Sequence, residues 1–441
     1  MERNYDSLSL PLPVEFSVTV ALILYKLFLR FYQTGIHLLS AWNPKAKAWV
    51  DGRKNSFPAL ADLSKDGGTW LWMHCASIGE FEQGKPVIER IRRDQPRWKI
   101  LVSFFSPTGF ALQKDYPGAD CVCYLPLDSA GHAEAFVSAV NPKLVLWIKH
   151  EYWYFYLREL RKRQIPTLLI SAIFRPDQSF FRWYGRLHRS MLDCFSHLFV
   201  QTPESLDLLG QLGITGRVSV SGDTRFDRVI EIAENSASPT LIRRFCGHSP
   251  VIVAGSTWEE DEEVLRHYAQ SHPEIRFIIA SHDTDEELLR DLDKLFPEAV
   301  HFSTLEGRNA AAVADKEPAN VLILDNVGML AVVYRFGFVC YVGGGFTENG
   351  VHNVLEAAVY GKPVLYGPAI DGVEEASDLV ERGGGLIVHS ALEAEEAFNQ
   401  LFESPEKYRR CATASREYVY EQRGATERIM HYIQENRLLT S

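Results

Sequence analysis

Two glutamates stand where a carboxylate at the head of a helix can do chemistry. Glu80 closes the segment His74-Cys75-Ala76-Ser77-Ile78-Gly79-Glu80, directly after the apolar run 70–76. Gly79 permits a tight turn, and Glu80 then opens a helix at the carboxyl edge of a strand, where it could remove a proton from a hydroxyl. The helix dipole is expected to lower its pKa. The spacing of Ser77 and Glu80 also fits a capping box, a purely structural role. Glu356 is similarly placed. The apolar run 338–342 breaks into Gly343-Gly344-Gly345, and a polar loop, a helical pattern over 352–360 and the apolar run 364–366 follow. A glycine loop that feeds a helix offers free N–H groups and a positive dipole end to a phosphate. Glu356, one turn in, can accept bonds from ribose hydroxyls. Asn353 and Glu356 are equally spaced as a helix cap, and glycines at such turns also serve close packing.

Two further constellations follow strand candidates. Lys149-His150-Glu151-Tyr152-Trp153-Tyr154 sets a charged triplet beside three aromatics. Sugars lie on aromatic faces while carboxylates fix their hydroxyls; core aromatics behind a helix-start Glu are the structural alternative. Ala254-Gly255-Ser256-Thr257-Trp258-Glu259-Glu260 offers small residues and hydroxyls to a phosphate, with a simple N-cap as the alternative. Asp283-Thr284-Asp285 has the Asp-x-Asp form of a metal site, but Thr284 and Glu287 also make a capping box. Asp291 and Asp293 do not converge on a helix. No metal and no cofactor are therefore expected, and no Walker loop, Gly-x-Ser-x-Gly elbow or zinc-spaced set is present.

The elements that must hold these residues alternate. Apolar runs at 70–76, 100–105, 121–125, 144–148, 167–171, 198–201 and 218–221 are separated by helical patterns such as 80–93 and 151–163. Pro203 begins another helix, at the position where a missing N–H costs least. This is the pattern of a parallel sheet covered on both faces. Residues 233–250 change composition and read as a linker. Strand candidates then resume at 251–254, 277–280, 321–324, 338–342, 364–366 and 386–389, with a surface loop expected over 304–319 and a helical C-terminus. Two successive doubly wound domains predict a ligand held at the carboxyl ends of the strands, in a cleft between them.

A chain of 441 residues exceeds one core's usual size, which fits two domains. A net charge of −11 argues against nucleic-acid binding, which needs a basic surface. The seven cysteines are scattered and include no Cys-x-x-Cys pair, so they read as reduced, mostly buried thiols. Residues 14–42 are rich in Leu, Phe, Tyr and Val but carry Lys26, Arg30 and Gln33. The uninterrupted apolar stretch, 18–25, is too short to span a bilayer. A helix lying on a membrane surface is expected, with Lys26 and Arg30 snorkelling and a basic flank of Lys45, Lys47, Arg53 and Lys54 on the cytoplasmic side. A tilted spanning helix and a helix packed on the globular body are the alternatives.

In order along the chain, Ser77-Ile78-Gly79-Glu80, Ser106-Pro107-Thr108-Gly109, Glu151-Tyr152-Trp153, Ala254-Gly255-Ser256-Thr257, and Gly343-Gly344 followed by His352-Asn353-Val354-Leu355-Glu356 resemble the Kdo transferases. These are the 3-deoxy-D-manno-octulosonic acid transferases of lipopolysaccharide assembly. The resemblance runs from about residue 15 to beyond 420 and is carried by the order of five motifs. It implies an α/β chain of GT-B type: two Rossmann-like domains facing a cleft, with an N-terminal membrane-associated helix. It also implies an inverting, metal-independent transferase on the cytoplasmic face of the inner membrane. The donor would be CMP-Kdo and the acceptor a lipid A precursor, lipid IVA. Glu80 matches the family's catalytic base, and Glu151 a second active-site carboxylate. Arg225 takes the place of a family lysine that meets charge on the departing phosphate or the Kdo carboxylate. Ser256, Thr257, Ser281, His282, Val327, Gly328, Met329, Gly343, Gly344, His352, Asn353, Val354, Leu355 and Glu356 match the donor-binding segments. Ala280-Ser281-His282 replaces the usual Pro-Arg-His, Val327-Gly328-Met329 replaces Met-Gly-Glu, and Lys149 stands where an acid is common.

The expected domains are a membrane-anchoring helix (14–42), an acceptor domain (43–235) and a donor domain (236–441). Other chemistries compatible with the pattern are a GT-B glycosyltransferase or epimerase using a UDP-sugar, and a non-catalytic lipid-binding scaffold.

Overall fold

A computed structural model describes residues 14–54, 56–60, 63, 67–307, 319–326 and 328–440. The chain divides into two compact units: one holds the residues up to Thr224 together with Gly424 onward, and the other runs from Arg225 to Arg423. The first unit therefore ends earlier than the expected 235 and regains the C-terminal helix, Ala425–Glu435. The reason is apolar patterning: Ile429, Met430 and Ile433 share one helix face and bury completely in the first unit's core. Arg90 pairs with Glu427 at 2.9 Å, and the Arg428 Nε donates to the Ser221 carbonyl.

The first unit is built on seven parallel strands: β1 (Trp70–Cys75), β2 (Lys99–Phe104), β3 (Cys121–Tyr124), β4 (Leu144–Ile148), β5 (Thr167–Ala172), β6 (His197–Val200) and β7 (Val218–Val220). Their order is β3-β2-β1-β4-β5-β6-β7. Strand residues alternate between two cores. Trp72, Leu101, Val145 and Trp147 point to one face, and Leu71, Met73, Val102 and Leu146 to the other. Both faces are covered, so the strands read as continuous apolar runs. The chain winds outward from β1 in one direction and, after the crossover to β4, in the other. The switch point lies between β1 and β4, where doubly wound sheets hold their ligands.

The second unit repeats the plan with β8 (Val251–Thr257), β9 (Arg276–Ser281), β10 (Val300–His301), β11 (Val321–Ile323), β12 (Val339–Val342), β13 (Val364–Tyr366) and β14 (Gly385–Ile387), in the order β10-β11-β9-β8-β12-β13-β14. Its switch point lies between β8 and β12. Two-residue β10 carries no run long enough to show in the sequence. The expected linker, 233–250, instead contains the helix Thr240–Cys246, whose Ile242 and Cys246, four residues apart, enter the second unit's core. Of the expected loop, 304–307 belong to the helix Phe302–Gly307, and 308–318 lie outside the described residues. All seven cysteines are free.

The helix Val14–Leu39 packs on the first unit through Tyr25, Leu29, Tyr32 and Ile36, a one-sided helical spacing. The Tyr25 hydroxyl donates to Asp128 at 2.6 Å, and Tyr32 lies edge-on to Trp49. The opposite face is also apolar and stays exposed: Ile23, Leu24, Leu27, Phe28, Phe31 and Leu38. Among the described residues no helix is long and apolar enough to cross a membrane. Arg53 does not join the expected basic flank. It turns inward, donates to the Leu125 and Phe105 carbonyls, and lies 3.8 Å from the Trp49 ring centroid. Burial brings its pKa down to about 10.

Candidate functional site

In the first unit the site forms at the carboxyl ends of β1 and β4. After Cys75 the chain turns through Ala76 and Ser77 into the helix Ile78–Asp94. Ser77 caps it by accepting from the Glu80 N–H at 3.4 Å. The other half of the expected capping box is different. The Glu80 carboxylate accepts from the N–H of Ala76, one residue before the cap, and from the N–H of His150 beyond β4 at 3.4 Å. That second bond links the two strand ends. Lys149 adopts a left-handed conformation (φ 56°) that turns the chain there.

Glu80 is 8% exposed, and burial raises its pKa against the pull of the two backbone donors and Lys149. The expected depression by the helix dipole is outweighed by desolvation. Glu151 follows in the same turn. Its Oε2 is buried without a hydrogen-bond partner, and burial together with the negative charge of Glu80 pushes its pKa up to about 7. Trp153 and Arg53 oppose that rise. Two carboxyls thus feel one another in unequal surroundings: Glu80 has backbone donors to hold its charge, and the Glu151 Oε2 has none.

The neighbouring aromatics are taken up by the fold. Tyr152 meets Phe180 edge-on at 5.0 Å, Trp153 lies 4.7 Å from Phe105, and Tyr154 packs against Tyr25 and Phe155. All three are half-buried and pack against the first unit's core. His74 is core: it bonds the Ser103 hydroxyl, and burial drops its pKa to about 3. Asp128 caps the helix Tyr154–Lys162 from a distance, accepting from the Phe155 and Tyr156 N–H groups.

The second unit gathers its candidate residues at the ends of β8, β9 and β12. Ser256 is left-handed (φ 55°), Thr257 donates to Glu262 at 2.8 Å, and the Ser281 hydroxyl bonds the Thr257 carbonyl. His282 stacks on Trp258 with centroids 3.5 Å apart and planes 9° from parallel. The Trp258 indole donates to the His352 Nε2 at 3.1 Å. An indole N–H only donates, so His352 must accept at Nε2 and carry its proton on Nδ1. Burial and His282 lower the His352 pKa, which keeps that ring neutral.

The glycine loop differs from a free phosphate cradle. The Gly343 N–H bonds the Gly255 carbonyl, and the Gly344 N–H is taken by buried Asp261 at 2.8 Å. A Cβ at Gly343 would lie 2.3 Å from the Ser256 carbonyl oxygen, and one at Gly345 2.5 Å from the Gly367 nitrogen. Close packing accounts for these two glycines. The expected helix 352–360 shrinks to Leu355–Ala358, because the His352 N–H bonds back to the Gly343 carbonyl. A single turn has little macrodipole. Asn353 does not cap Glu356: its Oδ1 accepts from the Leu355 N–H, and its Nδ2 donates to the Glu356 carboxylate at 3.2 Å. The side chains of Val354 and Leu355 are wholly buried, and their carbonyls accept from the Ala358 and Val359 N–H groups.

Gly328 (φ 93°) and Met329 follow β11, with Asn326 donating to the Met329 sulfur; Val327 lies outside the described residues. Arg225 opens the second unit and pairs with Glu375 at 2.7 Å. Trp258 and Asp261 were not singled out from the sequence. Their only signal there was an aromatic and an acid in the first turn after Ser256-Thr257, which looks like ordinary helix-start chemistry.

Residues 47–228 match the family 3-Deoxy-D-manno-octulosonic-acid transferase (kdotransferase). The chain is 26% identical to the 3-deoxy-D-manno-octulosonic acid transferase of Haemophilus influenzae, over 94% of this chain and 96% of that one. The transferase of the same name from Aquifex aeolicus is also 26% identical, over 75% and 85% of the two chains. Among solved structures, the UDP-GlcNAc 2-epimerase of Neisseria meningitidis bound to UDP-GlcNAc aligns with a TM-score of 0.56 at 18% identity, over 83% of this chain and all of that one. The two parallel sheets and this likeness place the fold in the GT-B class.

Proposed function

The chain belongs to the 3-deoxy-D-manno-octulosonic acid (Kdo) transferase family, and from that premise we propose that it moves Kdo from CMP-Kdo to a lipid A precursor. The step is a single inverting displacement without a metal. A hydroxyl of the acceptor attacks the anomeric carbon of Kdo, the bond to the CMP phosphate breaks, and CMP leaves. Glu80 takes the hydroxyl proton. Its burial moves it toward the neutral range in which a general base works best, and the Ala76 and His150 N–H groups keep it ionised. Glu151, with its pKa at about 7, is only part ionised at neutral pH while Glu80 is charged. As Glu80 becomes protonated, the repulsion on Glu151 disappears and its proton is released more easily.

Ser256, Thr257, Ser281, His282, Gly328, Met329, His352, Asn353 and Glu356 would hold the CMP moiety. His352 would present its Nδ1–H to an anionic oxygen. Arg225, beside Glu375, would meet charge on the donor. The outward apolar face of the helix Val14–Leu39 supports attachment to a membrane surface, which we propose to be the cytoplasmic side of the inner membrane.

The observation that carries this proposal is the unequal carboxyl pair at the β1–β4 switch point. Glu80→Gln preserves size and should lower turnover of CMP-Kdo with a tetraacyl acceptor by about 10²–10⁴-fold while leaving CMP affinity intact. Turnover within a few-fold of wild type would remove Glu80 from the role of base.

A further inference from the structure

A cavity of about 310 Å³ lies in the first unit beneath the start of the N-terminal helix, remote from the carboxyl pair in sequence and in the elements that build it. Its apolar walls are Val18, Leu212 and Ile214. Arg186, Arg189, Ser190 and Asp193 supply the polar lining. The volume is at the lower end of small-ligand sites, about 300–1,000 Å³.

The charges in this lining do not balance internally. Asp193 is already paired with Arg217 at 2.6 Å, and Ser190 donates to the Leu187 carbonyl. Arg189 is fixed by bonds from Nη1 to the Phe180 and Arg182 carbonyls, which satisfy a donor without cancelling its charge. Half-buried Arg186 makes no hydrogen bond or ion pair among the described residues. Two guanidinium groups therefore face apolar walls, and the one carboxylate of the lining, Asp193, is taken up by Arg217. Just before Arg186, Trp183 is 83% and Tyr184 52% exposed, aromatics of the kind that settle at a membrane interface. Val18 sits on the packed face of the N-terminal helix with Ala21, Leu22 and Tyr25, while Val20, Ile23 and Leu24 beside it are exposed.

We propose that this cavity is a binding site for an anionic amphiphile, the phosphodiester headgroup of a bilayer phospholipid, with the phosphate on Arg186 and Arg189 and the first methylenes against Val18, Leu212 and Ile214. A guanidinium presents the planar donor fork that suits phosphate oxygens. The site rests on the membrane-surface attachment proposed above and gives that attachment a lipid preference.

Binding of the full chain to vesicles tests it, using phosphatidylcholine alone and phosphatidylcholine doped with phosphatidylglycerol. The variants are Arg186→Gln, Arg182→Gln as an equal charge change on the neighbouring exposed arginine, and Ile214→Trp, which fills the cavity without changing charge. Loss of one non-specific surface charge weakens binding to anionic vesicles about five-fold. Arg182→Gln should stay within that limit. Arg186→Gln and Ile214→Trp should abolish the preference for phosphatidylglycerol and still bind neutral vesicles like wild type. Equal effects of Arg186→Gln and Arg182→Gln would overturn the site. So would competition by inorganic phosphate alone at the strength of the lipid, which would make it a simple anion site. Wild type that binds neither vesicle would instead overturn the membrane attachment itself, and the lipid site with it.

Discussion

Replacing Glu151 by Gln should make the protein more stable, and only above a defined pH. Glu151 ionises at about 7 in the folded chain against an ordinary 4.5, because it is buried, its Oε2 is unpaired, and Glu80 repels its charge. At about 1.4 kcal/mol for each pH unit, that displacement is worth about 3 kcal/mol. The sign follows from proton counting. Below pH 4.5 the group is protonated in both states and costs nothing extra. Between about 4.5 and about 7 the unfolded chain releases the proton while the folded chain keeps it, so stability falls as pH rises. Above about 7 the full penalty remains. Gln carries no charge and escapes it. Denaturant unfolding of wild type and Glu151→Gln should therefore coincide near pH 4.5 and separate to about 2–3 kcal/mol by pH 8.5, the variant being the more stable. A gap that does not change with pH, or a variant less stable at pH 8.5, would refute the burial argument. The coupling to Glu80 is separately visible. Glu80→Gln removes the repelling charge, so the Glu151 carboxyl should titrate below 7, and an unchanged titration by infrared or carbon NMR would mean the two groups do not sense each other.

Two other perturbations probe the second unit and the N-terminal helix. Trp258→Phe keeps the stack on His282 but removes the indole N–H, so nitrogen NMR should show His352, assigned by its loss in His352→Gln, leaving the Nδ1–H tautomer; CMP affinity should fall about five-fold, and an unchanged tautomer would refute the hydrogen-bond lock. Asp128→Asn cannot accept from Tyr25, Phe155 and Tyr156 at once, so it should cost about 1–3 kcal/mol and expose the helix Val14–Leu39 to limited proteolysis; equal stability and equal protection would show that this carboxylate does not hold the helix.

Among the described residues, thirteen of the fourteen strands lie where an apolar run marks them, often to within a residue. Strands covered on both faces leave a continuous apolar signature, which needs no knowledge of their partners. Helix starts after Ser77 and at Pro203 were equally plain, because caps and an N-terminal proline are local chemistry. The segment 352–360 was not. Its helical spacing is real, but the His352 bond to the Gly343 carbonyl holds it in the loop until Leu355. The same limit applies to Arg53, a basic residue in a basic stretch until Trp49, Phe105 and Leu125 close around it.

The sequence by itself determined two parallel α/β sheets, the likeness to the Kdo transferases, and the positions of Glu80, Glu151 and the glycine loop at strand ends. Those features depend on neighbours within a few residues or on the order of motifs. The tertiary structure decided what those groups are. It returned the last helix to the first unit through Ile429, Met430 and Ile433. It gave the Gly344 N–H to Asp261 and the His352 Nε2 to Trp258. It also reversed the expected direction of the Glu80 pKa, because desolvation and hydrogen bonding act over a few ångströms of space between residues far apart in the chain.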